Sequence, residues 1–89
     1  MKNTLEDLRK EIDEIDNQLL AALAKRMNIV REIGKLKKVK KLEPLDEERW
    51  QEVVNRMKTV ATKHKLPEDL VNKIYEEIHN VSLIVEKEI

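Results

Sequence analysis

A heptad repeat runs through the first 36 residues and fixes most of what this chain can become. Counted from Leu5, the positions Leu5, Leu8, Ile12, Ile15, Leu19, Ala22, Arg26, Ile29, Ile33 and Leu36 are all apolar except Arg26. Apolar residues spaced alternately by three and four line one side of an α-helix and form a seam for another helix. Thr4 suits the N-cap, with Asp7 at N3, and the pattern holds to about residue 39. Only Gly34 interrupts it, at a cost of about 1 kcal/mol in helix propensity. A helix of that length spans about 50 Å. A compact chain of this size would have a radius of gyration of only about 12 Å. The helix therefore has to project from its own domain, and its seam needs a second chain to cover it.

The rest of the chain reads as two shorter helices. The stretch KKLEPLDEE breaks the first helix, because Pro44 disfavours helical backbone at Glu43. Asp46 is a good N-cap, and Glu47 and Glu48 suit the positive end of a helix dipole. A second helix is expected over about 47–63, with Trp50, Val53, Val54, Met57, Val60 and Ala61 on one face. The turn HKLP ends it. Pro67 fits the start of a third helix over about 67–88, carrying Leu70, Val71, Ile74, Ile78, Val81 and Val85. The expected fold is all-α: one domain over 1–89, with a long helix at about 4–39 and two shorter ones, assembled as an intertwined homodimer.

Charge and cysteine content exclude several classes of function. Lys plus Arg equals Asp plus Glu, 18 each, so the formal net charge is zero. A nucleic-acid or membrane-surface protein should show one dominant sign, so neither partner is expected. The absence of cysteine rules out disulfides and thiol chemistry. The opening MKNTLEDLRKEID has no apolar signal core, and no stretch reaches transmembrane length, so a cytoplasmic location is expected.

Several charged residues do not fit a plain helical bundle. Arg26 reads either as a snorkelling side chain at a solvent gap in the seam or as an anion site inside the bundle. Lys37 follows Arg26 by 11 residues, about three turns, which returns it to the same face about 16 Å further on. It is also one lysine of the basic run GKLKKVKK. Arg9 lies too far along the axis to join Arg26 and Lys37 within one chain, about 25 Å from Arg26. In an antiparallel or crossed dimer the partner's Arg9 could join them; otherwise Arg9 reads as an exposed flank of the coiled-coil seam. Asp46 and Arg49 read as a cap and a surface charge. Ser82 and Glu86, spaced i, i+4, share a face of the third helix and form either an ordinary polar stripe or part of a site. His64 and His79 are isolated, with no ligand-spaced partner, so no metal site is expected. No Gly-rich phosphate loop and no Ser-His-Asp or Cys-His arrangement is present.

Three segments carry a resemblance to a known family: LRKEIDEIDNQLLAALAKRMNIVREIGKLK at 8–37, PLDEERW at 44–50 and IHNVSLIVE at 78–86. Together they resemble the all-helical (AroQ-class) chorismate mutases. The resemblance implies two interlocked three-helix chains and the Claisen rearrangement of chorismate to prephenate, in the pathway to phenylalanine and tyrosine, with no metal or cofactor. It further implies that Arg26 and the partner's Arg9 grip the substrate carboxylates, and that Lys37 donates to the ether oxygen. Asp46 helps bind the ring hydroxyl, largely through its backbone. Ser82 contacts the ring carboxylate, and Arg49 supports the site. Two positions depart from the usual pattern. Trp50 stands where the family commonly has a glutamate that receives the ring hydroxyl, and Trp can donate but not accept as a carboxylate does. Glu86 stands where many members have a glutamine that donates to the ether oxygen, a role Glu86 can fill only when protonated. The readings beside mutase are an isochorismate-pyruvate lyase of the same fold and a non-catalytic helical dimerisation or regulatory module.

Overall fold

A computed structural model describes residues 4–89; Met1, Lys2 and Asn3 of the expected 1–89 domain lie outside them. Three helices follow in order: α1 (Leu5–Lys40), α2 (Glu47–Lys63) and α3 (Glu68–Lys87). Thr4 caps α1, its Oγ1 accepting from the Asp7 N–H at 3.1 Å. Glu6 and Asp7 in the first turn and Lys37, Lys38 and Lys40 in the last complement the helix dipole. Lys41 ends α1 in the left-handed conformation, φ 58°. There the Leu42 N–H reaches back to the Lys37 carbonyl at 2.8 Å, using up a carbonyl that the helix leaves open. α2 closes in the same way, with Lys65 left-handed and the Leu66 N–H donating to the Ala61 carbonyl at 2.9 Å. Asp46 caps α2, its Oδ1 accepting from the Arg49 N–H at 3.1 Å. Pro67 precedes α3 with no side-chain cap.

Helix α3 packs against both α1 and α2, whereas α1 and α2 do not pack on each other. The apolar centre is small: Val30 from α1, Val53 and Ala61 from α2 and Val71 from α3. Each helix thus buries few residues within the chain. The expected α2 face is at least partly covered throughout. The expected α3 face is covered only in part. Leu70, Ile74 and Val81 of that stripe are exposed, and the covered face runs Val71, Tyr75, Ile78, Ser82, Glu86 and Ile89. Hydrophobic periodicity caught half of the inward face, Val71, Ile78 and Val85, and missed the rest, because that face also carries polar residues for the cavity described below.

The seam of α1 is bare. Leu5, Leu8, Ile12, Ile15, Leu19, Ile29, Ile33 and Leu36 are each between 41% and 65% exposed. What α1 gives to its own chain is an adjacent face, with Val30 and Gly34 buried. Gly34 is there for close approach. A Cβ at this position would stand 2.7 Å from Ile89 Cδ1 and 3.2 Å from the Cα of Glu86, so any larger residue pushes α3 away. Among the described residues no helix is long and apolar enough to cross a membrane.

Candidate active site

A cavity of about 340 Å³ opens between the three helices. Arg26, Lys37, Asp46, Arg49, Trp50, Ser82 and Glu86 all line it. These residues come from all three helices and from the cap of α2, and the fold brings them to one place. Arg9 does not line it; this residue is exposed on the N-terminal half of α1.

The side chains inside are tied together. Arg26 Nη1 donates to Ser82 Oγ at 3.2 Å, and Ser82 is buried. Among the described residues Arg26 meets no carboxylate, so its charge is left for an external anion. Lys37 Nζ donates to the Pro44 carbonyl at 2.5 Å and stands 2.7 Å from Glu86 Oε1. This one ammonium therefore ties α1 both to the loop before α2 and to α3. The Glu86 side chain is only 9% exposed, and its Oε1 is sealed from solvent. That oxygen is close enough to Lys37 for an ion pair yet receives no well-directed hydrogen bond. Electrostatic attraction tolerates such an angle, but a hydrogen bond does not. Asp46 is occupied by its own helix, and Arg49 Nη1 makes an exposed pair with Glu52 at 3.4 Å.

Two polar lining residues escaped the sequence reading. Arg56 lies seven residues after Arg49, two turns along the same face of α2, and adds a further cation to the wall. That i, i+7 spacing was visible in the sequence. His79 is the second. Far from isolated, it stacks on Trp50 with ring centroids 3.9 Å apart and planes 12° from parallel. No spacing rule links residues 50 and 79, so nothing in the sequence signalled the pair. His64 is exposed at the end of α2. Among the described residues no group of His, Asp and Glu is placed to hold a metal ion.

The cavity carries Arg26, Lys37, Arg49 and Arg56 against Asp46 and Glu86, an excess of positive charge. An opening with that balance suits a small molecule bearing two negative charges. A second cavity, about 450 Å³, lies between α2 and α3 and shares Trp50 and His79 with the first. It is the larger, but Lys58 and Glu76 balance one another there. Charge rather than size marks the first cavity as the candidate site.

Comparison with known proteins points the same way. The sequence pattern of the family "Chorismate mutase type II" matches residues 8–87. A chorismate mutase from Methanocaldococcus jannaschii is 29% identical over 85 residues, which cover 93% of this chain and 86% of that protein. A bifunctional chorismate mutase/prephenate dehydratase from Aquifex aeolicus is 33% identical over 88 residues, which cover 96% of this chain but 24% of that protein. Among solved structures, a conserved hypothetical protein from Pyrococcus furiosus superposes with a TM-score of 0.73 at 40% identity, covering 97% of this chain and 99% of the other.

Proposed function

This chain belongs to the chorismate mutase type II family, and from that premise we propose that it converts chorismate to prephenate inside the three-helix cavity. The observation that carries the reading is the meeting of Arg26, Lys37, Arg49 and Glu86, from three different helices, in one cavity with an excess of positive charge. The substrate is a dianion, and the reaction is a unimolecular shift. The ether C–O bond breaks as a new C–C bond forms, and negative charge grows on the ether oxygen. No nucleophile is called for. The protein has to fold the substrate's side chain over its ring and stabilise that charge.

In this reading Arg26 binds a substrate carboxylate, bidentately where geometry allows. Its hydrogen bond to Ser82 holds the guanidinium in place beforehand. Lys37 and Glu86 face the ether oxygen from opposite helices. Lys37 supplies a charged donor, and Glu86 supplies a second when protonated. Their mutual contact at 2.7 Å holds both at the cavity wall. Asp46 and Arg49 sit at the N-terminus of α2, where backbone N–H groups point outward. The bare α1 seam supports a homodimer in which Arg9 of the partner chain completes the carboxylate site.

One assay tests the reading. Purified chain is given chorismate, and prephenate is followed by absorbance; isochorismate is tried in parallel, with release of pyruvate as the readout. Prephenate formation is the expected result. Pyruvate from isochorismate without prephenate would make the chain a lyase. Neither product would leave a helical module without catalysis.

A further inference from the structure

The cavity wall carries more donors than acceptors. Arg26, Lys37, Arg49 and Arg56 only donate, and so does the indole N–H of Trp50. Four lining side chains are able to accept: Asp46, His79, Ser82 and Glu86. Asp46 Oδ1 accepts from the Arg49 N–H that it caps, Ser82 Oγ accepts from Arg26, and Glu86 Oε1 faces Lys37, so each of these three already has a polar partner, although each carboxylate keeps a second oxygen. His79 is different. Among the described residues its ring makes a stacking contact and no hydrogen bond. A neutral imidazole has one N–H donor and one bare nitrogen that accepts.

The proposed substrate presents the complementary problem. Its carboxylates and ether oxygen accept hydrogen bonds, which the cations supply. Its ring hydroxyl is the one group that also donates. A hydroxyl enclosed without an acceptor is left unsatisfied, and Trp50 cannot provide one. We propose that His79 accepts the hydrogen bond of the substrate's ring hydroxyl and thereby selects for a hydroxylated ring. The inference rests on the mutase reading above. Trp50 acts here as a positioning residue. Stacked at 3.9 Å and 12° from parallel, it fixes the plane of the imidazole. The ring nitrogens lie in that plane, so the stack also directs the accepting lone pair.

The test compares chorismate with an analogue in which hydrogen replaces the ring hydroxyl. His79→Phe keeps an aromatic ring to stack on Trp50 and removes the acceptor; His79→Gln shortens the reach but keeps an accepting oxygen. The expected result is a loss of about tenfold in kcat/KM on chorismate for His79→Phe, the usual scale for one hydrogen bond. On the analogue, wild type and His79→Phe should run alike, and His79→Gln should recover part of the preference for chorismate. An equal loss on both substrates would make His79 a packing residue and overturn the proposal, and so would wild-type kinetics for His79→Phe on chorismate. If the wild-type chain makes no prephenate at all, the mutase reading falls and takes this inference with it. An active wild type with no hydroxyl preference sinks the inference alone.

Discussion

Arg26 shows how a single residue can look wrong in one context and necessary in another. In the heptad it is the one charged position. In the fold it is half-buried, held by Ser82, and meets no carboxylate among the described residues. A guanidinium kept in that state is ready for an anion. Replacing Arg26 or Lys37 with Ala should lower kcat/KM by about 10²–10³ each, the typical loss of one preorganised donor at developing negative charge. Circular dichroism should show the helices intact. Wild-type rates in both variants would move the reaction out of this cavity. Glu86 gives a second prediction at this scale. It lines the cavity beside Lys37. In the mutase reading a carboxyl donates to the ether oxygen only when it carries a proton, whereas the amide of Gln always donates. Glu86→Gln should therefore keep or raise kcat on chorismate, and Glu86→Ala, which has no donor, should lower it by about 10². Wild-type kcat in Glu86→Ala would remove Glu86 from the chemistry.

At the scale of elements, the contact between α1 and α3 decides where the two donors stand. Gly34 lies one turn before Lys37 on α1 and packs against the backbone of Glu86 on α3. Two effects oppose each other in Gly34→Ala. Ala gains about 1 kcal/mol of helix propensity. Its Cβ meets Ile89 Cδ1 at 2.7 Å, a flexible tip that can turn aside, and the Glu86 Cα at 3.2 Å, which moves only if α3 moves. Stability should then change by no more than about 1 kcal/mol, since gain and strain offset. Turnover should fall clearly, because a displacement of even a fraction of an ångström separates Glu86 from Lys37. Thermal melts and kcat on the same protein check this. A variant as active as wild type would mean that the helix spacing is not tuned to the site. A bulkier Gly34→Val should lose stability as well, having no way to avoid the backbone.

The whole molecule is elongated, with a radius of gyration of 16.6 Å and extents of 56 × 24 × 15 Å. A compact chain of this length would have a radius of about 12 Å. The excess is α1, whose apolar seam stays in water unless something covers it. Sedimentation at micromolar concentration should show a stable dimer; a stable monomer would leave the seam unexplained. Sharing of the site across chains has a sharper test. Arg9→Ala and Arg26→Ala should each be inactive as homodimers. Refolded together, they form heterodimers in which one of the two sites holds both native arginines. Activity should return in the mixture. If heterodimers form and stay inactive, Arg9 has no role across the interface.

Local rules were enough for the helices. Caps, prolines and apolar spacing act within a few residues, so Thr4, Asp46, Pro44 and Pro67 marked the boundaries, and the length of α1 follows from a heptad that Gly34 does not end. The same spacing that exposed Arg26 also put Lys37 on its face, and the i, i+4 step paired Ser82 with Glu86. Tertiary structure alone decided the rest. It turned α3 so that Tyr75, Ser82 and Glu86 face inward while Leu70 and Ile74 stay outside. It set Gly34 against Glu86, brought Arg56 into the wall, and laid His79 flat on Trp50. Each of these joins residues distant in sequence, and no periodicity encodes such a meeting. Periodicity reports that a face is apolar; which neighbour covers it, and which polar groups are enclosed with it, depends on how the helices pack.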